Sequence, residues 1–552
     1  MTKLRKISIE FEQYKAFRKR QRLQEIKPIN IIIGRNNAGK SAVLDVVEYL
    51  KGDPPSRENF LAQGTNGATP SVLLEKELKE EELRKTFREG VIGGSFTNLD
   101  HWSYAVTNYL GKPVKIKVTE KAIRIDEIEP GFSKDTEKFK DSLEKEIRNP
   151  FLDKRVRRLR ADRNILPEKT TPGEPPAIQS DGTGATRSVD FILRFNTANP
   201  KIIEENFVEA FNKIFGPDIK IVKIDTKELK DGSKEIHLEE QNKRLIPLSE
   251  SGSGIKTVAL VLLNTIAYPE HYKTNLSEYI FLLEELENNL HAHALRNLFH
   301  YIKSLATEFG CTFFITTHSS TVIDLFDNDP DAQIIHIVNH NGESELEVVS
   351  DWLDKSKVID DLGIRGSDLL QTNGIIWVEG PSDRIYINHW ITLLSNGELI
   401  EGTHYQCLFY GGKLLSNLSL SDPLLEEYIS MLKINKNLVI VIDSDKSGAR
   451  KRINRTKQRI RKETSEIGGM TWVTKGREVE NYIQKEIIES ILGKVPDDFD
   501  EFTKVSDLKP GKMNKIAFAR EAIEKMDKER LDNLDLHKRI AEIIEQIKEW
   551  NK

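Results

Sequence analysis

The chain has 552 residues, which is enough for roughly three or four domains. Its net charge of −5 excludes a strong overall positive field, so any affinity for nucleic acid must come from local basic patches. The 2 cysteines exclude a disulfide framework. There is no run of about 20 apolar residues and no apolar leader in the charged stretch from Met1 to Arg22. We therefore expect a cytoplasmic protein without a membrane-spanning segment.

The first motif is a glycine loop between a predicted strand and a predicted helix. The β-branched run Ile29–Ile33 predicts a buried strand, and apolar residues at helical spacing from Val43 to Leu50 predict a helix. The sequence between them has the form Gly-x4-Gly-Lys-Ser, which is typical of a phosphate-binding loop. An ordinary glycine turn is the alternative, and the flanking strand and helix disfavour it. The residues expected to bind ATP are Gly34, Asn36, Asn37, Gly39, Lys40 and Ser41, with Ser41 also a ligand of Mg²⁺.

Residues 51–244 have a looser pattern, and we interpret them as an insertion within one nucleotide-binding domain. Charged helical pieces are predicted at 72–88 and 133–148, and strands at 113–126 and 219–237. The basic stretch Lys154–Arg160 is either the solvated face of a helix or a contact for nucleic acid.

A third feature is the serine- and glycine-rich segment before the apolar run Val258–Ala267. Ser253 and Gly254 lie where a helix begins, and such a position can bind phosphate. An ordinary N-capped helix explains the same residues.

Two further buried strands end in residues suited to ATP hydrolysis. Tyr279–Leu283 is followed by Glu284 and Glu285, and adjacent carboxylates at a strand end are costly unless a cation or a reaction uses them. Beside the phosphate loop, Glu284 can hold the Mg²⁺ water shell and Glu285 can polarise the attacking water. The strand from Cys311 to Ile315 leads to His318, which is suited to sensing a γ-phosphate.

These features in this order resemble the ABC-class ATPases of the chromosome-maintenance and recombination-repair branch, over residues 3–50 and 245–340. The resemblance implies a head-to-head dimer, in which the Ser253–Gly254 region of one subunit closes on ATP bound to the other. Two positions depart from the family pattern, because Glu284 stands where Asp is usual and Leu286 where Pro is common.

A new α/β pattern begins near residue 374. The strand Gly374–Val378 ends at Glu379, and the strand Leu438–Ile442 ends at Asp443 and Asp445. Acids that converge on the carboxyl edge of a parallel sheet repel one another without a cation, and oxygen ligands suit Mg²⁺ or Mn²⁺. The alternative to a metal site is a structural role, in which Asp383 and Asp445 cap the helices that follow them.

The segment after Asp445 is strongly basic. It is predicted to form a helix whose lysine and arginine side chains are not paired with acids. Because no acidic residue interrupts the segment, we expect it to bind a phosphodiester backbone. Its basic residues are Lys446, Arg450, Lys451, Arg452, Arg455, Lys457, Arg459, Arg461 and Lys462.

The segments Glu379–Asp383 and Asp443–Asp445 resemble the Toprim fold of topoisomerases, primases and nucleases. An ABC-type ATPase joined to a Toprim domain is similar to the OLD (overcoming lysogenization defect) family of nucleases, and Arg477–Tyr482 extends the likeness. The resemblance implies two-metal DNA cleavage, antiphage defence and a late catalytic lysine, for which Lys515 is preferred over Lys512. The metal ligands it implies are Glu379, Asp383, Asp443, Asp445, Glu478 and Glu480.

The predicted architecture is α/β throughout. It comprises an ABC-type P-loop ATPase domain (1–345, with the insertion 51–244 as dimerisation region), a connector (346–372) and a Toprim domain with a parallel sheet and C-terminal helices (373–552). The predicted function is that of an ATP-regulated DNA endonuclease that works as a homodimer or higher homo-oligomer, with an accessory defence subunit as a further partner. The alternatives are a non-catalytic DNA clamp or sensor, a topoisomerase- or primase-like enzyme, and a hydrolase of nucleotides or other small molecules that depletes ATP.

Overall fold

A computed structural model describes residues 4–349 and 373–551, apart from 5, 53, 93–98, 120–121, 133–135, 171–176, 196–197, 217–218, 242–244, 327–328, 403, 410–436, 467, 494 and 509–512. The chain divides into two compact units, residues 1–364 and 365–552. Most of the predicted connector 346–372, and the alternative lysine Lys512, lie outside the described residues.

The first unit contains both strands and helices. Its strands are β1 (Ser8–Glu12), β2 (Gln21–Leu23), β3 (Ile29–Gly34), β4 (Ser71–Glu77), β5 (Pro113–Val118), β6 (Ile123–Ile128), β7 (Arg155–Leu159), β8 (Ile221–Glu228), β9 (Lys234–Glu240), β10 (Leu245–Pro247), β11 (Tyr279–Glu284), β12 (Thr312–Thr317), β13 (Ala332–His340) and β14 (Glu343–Val348). Its helices are α1 (Lys40–Lys51), α2 (Pro54–Ala62), α3 (Glu80–Arg84), α4 (His101–Asn108), α5 (Glu137–Glu146), α6 (Ala185–Arg194), α7 (Val208–Phe215), α8 (Ser253–Leu262), α9 (Tyr268–His271), α10 (Ala292–Ser304) and α11 (Ser320–Phe326).

The central sheet of this unit has the strand order β14-β13-β3-β12-β11-β7. All neighbouring strands in it are parallel except the pair β13 and β14. Strands β3, β11 and β12 are buried along their whole length, which is why they appear in the sequence as continuous apolar runs. Because their carboxyl ends meet at one edge, the residues that follow them are neighbours in space.

Two cores lie on the two faces of this sheet. On one face, Ile32, Leu282 and Phe314 pack with α1 and with an antiparallel sheet of order β2-β1-β4-β5-β6. On the other face, Ile31 and Phe281 pack with the apolar sides of α6 to α8 and α10 and with the three-stranded sheet β10-β9-β8. The segment 51–244 therefore contributes strands to all three sheets of the unit.

Two local predictions in this segment are wrong. The piece 72–88 was expected to be helical, but Ser71–Glu77 is a strand that pairs with β1, and only Glu80–Arg84 is an α-helix. The basic stretch Lys154–Arg160 contains strand β7 and not a helix, because Arg155–Leu159 pairs in parallel with β11. The strands predicted at 113–126 and 219–237 are confirmed as β5, β6, β8 and β9.

The second unit has a parallel sheet of order β16-β15-β17-β18. Its strands are β15 (Ile375–Val378), β16 (Gln406–Phe409), β17 (Leu438–Ile442) and β18 (Met470–Val473), and its helices are α12 (Pro381–Leu394), α13 (Arg455–Glu466), α14 (Lys485–Leu492), α15 (Lys515–Glu524) and α16 (Leu536–Trp550). The helices α12 and α14 to α16 pack on one face of the sheet around Trp390 and Trp472. The chain is thus α/β, with parallel and mixed sheets.

The predicted basic helix after Asp445 begins later than expected. Residues 443–454 are non-helical and α13 starts at Arg455. Asp445 has a φ of 54° and Gly448 a φ of 156°, so the chain turns here through conformations that interrupt a helix. Among the described residues, no helix is long and apolar enough to span a membrane.

Candidate functional site

The glycine loop connects β3 to α1 at the carboxyl edge of the central sheet. Gly34 has a φ of 152°, and a Cβ atom at this position would lie 2.6 Å from the carbonyl oxygen of Ile337. Gly39 caps α1 with a φ of 109°. Asn36 and Asn37 lie in the turn between these glycines, and Asn37 is left-handed with a φ of 63°. The first turn of α1 thus presents its backbone N–H groups at this edge, as anion binding requires.

Lys40 and Ser41 face the ends of the neighbouring strands. Lys40 Nζ donates to the carbonyl oxygens of Gly34 and Arg35 at 3.0 and 3.2 Å, and lies 2.7 Å from His318 Nε2. Burial lowers the pKa of Lys40, and the nearby carboxylates of Glu285, Glu287 and Glu284 oppose this shift. Ser41 Oγ donates to Glu284 Oε2 at 2.9 Å.

Glu285 occupies a sharp turn after β11. It is left-handed with a φ of 46°, and its backbone N–H donates to the carbonyl oxygen of Thr316 at 2.9 Å. His318 Nε2 lies 3.5 Å from Glu285 Oε1, and the backbone N–H of His318 donates to Glu287 Oε1 at 2.6 Å. The structure therefore brings together Lys40, Ser41, Glu284, Glu285 and His318.

Ser253 and Gly254 lie at the start of α8. Ser253 is exposed, whereas Gly254 is buried against the carbonyl oxygen of Asn289, 2.4 Å from the place of a Cβ atom. No hydrogen bond joins either residue to the glycine loop within the described part of the chain.

Two arginines lie beside this site, and the sequence placed neither of them there: Arg158 was noted only within the basic stretch Lys154–Arg160, and Arg163 was missed. Arg158 on β7 donates to Asp45 Oδ1 at 2.6 Å and Glu48 Oε2 at 2.9 Å, and its Nη2 lies 2.8 Å from Glu284 Oε1. Burial alone would raise the pKa of Asp45, but Arg158 and Lys15 outweigh it and hold that pKa below its ordinary value. Arg163 donates to the backbone carbonyls of Glu284 and Glu285. No local sequence pattern indicates that these two arginine side chains face the site, because the pairing of β7 with β11 brings their segment there.

We expect Arg158→Met to lower the free energy of unfolding of the first unit by about 3 kcal/mol, because the buried carboxylates it neutralises lose their cation. Arg155 is the matched control, since it lies on the same strand but pairs with Glu278 in solvent, at 3.2 Å. Urea unfolding of the full chain, followed by circular dichroism, measures both variants. Equal effects of Arg155→Met and Arg158→Met would contradict the prediction.

The second unit carries a cluster of carboxylates at the carboxyl edge of its sheet. One carboxylate oxygen from each of Asp443, Glu478 and Glu480 lies within 4.8 Å of the others. Asp443 follows β17, and its Oδ1 accepts the backbone N–H of Val479 at 2.9 Å. Glu478 and Glu480 flank the start of a 3-10 turn, Val479–Tyr482, and both are buried.

Lys515 at the start of α15 lies against this cluster. Its Nζ is 3.2 Å from Glu478 Oε2 and 3.1 Å from Glu480 Oε1. Glu480 is fully buried, and its Oε2 accepts no hydrogen bond from the described residues. The cluster thus keeps a buried oxygen without a donor beside one lysine.

Two more predicted acids lie next to the cluster. Asp383 is buried in the first turn of α12 and accepts the backbone N–H of Gly380 at 3.0 Å. Loss of hydration, and then the charge of Glu480, raise the pKa of Asp383 to about 7. Burial, and then Asp445, raise the pKa of Glu379. The pKa of Asp443 is also raised, first by loss of hydration and then by the negative charges of Asp383 and Glu480. These shifts share two causes, burial of the carboxyl groups and their closeness to one another, and Lys515 opposes the shifts of Glu379 and Asp383.

Asp445 is placed differently. Its side chain is 74% exposed and is paired with Lys457, whose Nζ also donates to the carbonyl oxygen of Asp443 at 2.6 Å. Lys457 lies in the first turn of α13, where it is buried and paired, which corrects the expectation that this segment leaves its cations free. The exposed basic residues of the segment are Arg450, Lys451, Arg452, Arg455, Arg461 and Lys462.

The residues present fit a divalent cation. The donors are carboxylate oxygens, as Mg²⁺ and Mn²⁺ prefer, and the Oε2 atom of Glu480 lacks a donor among the described residues. Buried oxygens of this kind are normally satisfied by a hydrogen bond or an ion.

Comparison with protein families gives a match to the model described as "AAA domain, putative AbiEii toxin, Type IV TA system", over residues 29–324. No curated protein sequence matches the chain. Among solved structures, an SMC head bound to the C-winged helix domain of ScpA is similar at 15% identity and a TM-score of 0.37, covering 63% of this chain and 98% of that one. The SMC head domain from Thermotoga maritima is similar at 14% identity and a TM-score of 0.31, covering 62% and 98%. A Pyrococcus furiosus SMC head with an extended coiled coil, bound to the C-terminal domain of ScpA, is similar at 14% identity and a TM-score of 0.34, covering 64% and 98%.

Proposed function

The chain belongs to the AAA domain family of the AbiEii type, and from this premise we propose that it is an ATP-regulated, metal-dependent DNA endonuclease of the OLD type. Its first unit would be an ABC-type ATPase and its second unit a Toprim nuclease domain. The observation that carries the proposal is the group formed by Asp443, Glu478 and Glu480, which has Lys515 at its side and a basic segment after it.

The ATPase assignment rests on the residues around the glycine loop. Lys40 would bind the β- and γ-phosphates, while Ser41 and Glu284 would hold the Mg²⁺ of the nucleotide. Glu285 would accept a proton from the attacking water, and His318 would contact the γ-phosphate. Ser253 is exposed at the start of α8, which supports its proposed role in closing on ATP bound to a second subunit.

The nuclease assignment rests on the second unit. Asp443, Glu478 and Glu480 would hold divalent cations together with Glu379, Asp383 and Asp445. Bound Mg²⁺ or Mn²⁺ would supply Lewis acidity and a water of lowered pKa for phosphodiester hydrolysis. Lys515 would contact the scissile phosphate, and the exposed arginines and lysines from Arg450 to Lys462 would bind the DNA backbone. The match to a family that includes a putative toxin of a type IV TA system supports a role in defence, and antiphage defence is the form we propose.

A second candidate is a DNA-binding ATPase clamp or sensor in repair or defence that does not cut. It is favoured by the ion pairs of Lys515 with Glu478 and Glu480, since an ammonium group already neutralises part of the cluster.

Supercoiled plasmid incubated with the full chain and Mg²⁺ or Mn²⁺, with and without ATP, tests the proposal. Nicked or linear DNA that requires the metal supports the endonuclease. Plasmid that is bound but stays intact under every condition contradicts it and favours the clamp.

In the Lys40→Ala variant we expect the Kd for ATP to rise at least about tenfold, because a buried ammonium group no longer contacts the phosphates. Lys51→Ala is the matched control at the other end of α1, where Lys51 Nζ donates to the carbonyl oxygen of Leu152 at 3.0 Å. Nucleotide titration measures both variants, and Mn²⁺ titration checks that the second unit keeps its metal site. Undiminished ATP binding would refute the role of Lys40.

A further inference from the structure

The guanidinium group of Arg163 joins the turn at Glu285 to the first turns of α8. Nη1 donates to the carbonyl oxygen of Glu284 at 2.6 Å, and Nη2 donates to that of Glu285 at 2.9 Å. Nε donates to Thr257 Oγ1 on α8 at 3.2 Å, and Nη1 also donates to the carbonyl oxygen of Arg160 at 2.6 Å. One planar group therefore holds four acceptors from three separate segments.

None of these acceptors is charged. Within the described residues, Arg163 forms no ion pair, in contrast to Arg158 on the neighbouring strand. Burial lowers the pKa of Arg163 to about 10, opposed by Glu287, Glu284 and Glu285. Arg163 is half-buried and every hydrogen bond of its side chain to the described residues goes to a neutral acceptor, so its contacts hold backbone and hydroxyl groups in place rather than forming a close ion pair.

The two carbonyl groups held by Arg163 belong to Glu284 and Glu285, so they bracket the left-handed residue Glu285. A left-handed conformation is strained for a residue with a side chain and persists when its surroundings hold it. The backbone conformation of Glu285 sets the direction of its carboxylate, which is the group proposed to accept the proton from water. The contacts of Arg163 thus hold the backbone at the residue that carries this carboxylate.

The segment that contains Arg163 also contacts α8. Besides the Thr257 contact, Lys256 Nζ on α8 donates to Asn164 Oδ1 at 2.9 Å, so residues 163 and 164 both bind the same helical turn. Ser253 and Gly254 lie one turn earlier on this helix. A shift of α8 would therefore move the carbonyl contacts that hold Glu285.

We propose that Arg163 is a positioning residue that couples the start of α8 to the Glu285 turn, so that contacts made by α8 control ATP hydrolysis. The inference rests on the proposed ATPase function. Arg163 acts through Glu285 and not on the nucleotide, which separates its role from those of Lys40 and Ser41.

The test compares Arg163→Lys, Thr257→Val and the double variant in the full chain. A lysine keeps the charge but cannot hold all four acceptors, so we expect kcat for ATP hydrolysis to fall about 10- to 100-fold with less than about a threefold change in KM. Thr257→Val removes only the hydroxyl contact to α8 and should lower kcat about threefold, without adding to the effect of Arg163→Lys. Arg160→Lys is the matched control. This exposed arginine lies in the same segment, and only its backbone carbonyl group, which the substitution keeps, accepts a hydrogen bond from Arg163.

Three outcomes overturn the inference: an unchanged kcat in Arg163→Lys, a parallel loss of ATP affinity and kcat, or additive effects of the two substitutions. If Arg163→Lys fails to fold, Thr257→Val alone decides, and wild-type kcat in that variant counts against the coupling. The Glu285→Gln variant distinguishes failure of the coupling from failure of the ATPase proposal. If Glu285→Gln abolishes hydrolysis while Arg163→Lys does not change it, the coupling is wrong and the ATPase proposal stands.

Discussion

In the Asp443→Asn variant, metal-dependent nicking of supercoiled plasmid is expected to fall at least about 100-fold, while ATP hydrolysis stays within about twofold of the wild-type rate. Asp443 has a carboxylate oxygen within 4.8 Å of those of Glu478 and Glu480, so the amide removes a charged ligand from the centre of the group. The isosteric side chain can still accept the N–H of Val479, which preserves the turn. A loss of cleavage would therefore report the missing charge rather than a collapsed loop.

The matched control is Asp532→Asn, an exposed carboxylate in the same unit and outside the cluster, and it should cleave like the wild type. Thermal unfolding with and without Mn²⁺ gives an independent readout. We expect Mn²⁺ to raise the Tm of the wild-type chain and of Asp532→Asn, but to raise that of Asp443→Asn far less. Wild-type cleavage in Asp443→Asn would refute the nuclease site, and intact DNA binding without cleavage in all three proteins would favour the clamp.

In the Glu285→Gln variant, ATP hydrolysis is expected to fall at least about 100-fold with ATP binding retained, because the amide cannot accept a proton from the attacking water. Glutamine has the same shape and keeps the backbone contact to Thr316, so the turn should persist. Phosphate release measures hydrolysis, and titration with a non-hydrolysed ATP analogue measures binding.

Glu308→Gln serves as the control for this substitution, since Glu308 is exposed and lies away from the glycine loop, at the end of the helix that follows β11. Hydrolysis at the wild-type rate in Glu285→Gln would show that another group activates the water. Loss of ATP binding in parallel with hydrolysis would instead assign Glu285 to holding the nucleotide. If trapped ATP also changes plasmid cleavage, the direction of that change tells whether ATP activates or restrains the nuclease.

Local sequence signals determined the positions of the main strands and of the residues at their ends. The apolar runs at Ile29–Ile33, Tyr279–Leu283 and Leu438–Ile442 predict buried strands, because strands of a parallel sheet are covered on both faces, and the structure has strands at all three. The carboxyl ends of such strands share one edge, so the approach of Lys40 to Glu284 and Glu285 could be expected before any coordinates. The roles of these residues stay predictions.

The partners of the acids and of the basic stretches were decided only by the tertiary structure. Arg158 contacts Glu284 across 126 residues of sequence, and its inward orientation depends on the pairing of β7 with β11. Asp445 is left-handed and its carboxylate pairs with Lys457, whereas Asp443, two residues earlier, lies beside Glu478 and Glu480. Long apolar runs identify buried strands from their own residues, whereas the strands within the charged segments 72–88 and Lys154–Arg160 depend on pairing with distant ones. Strand register also decides which distant charge a side chain contacts.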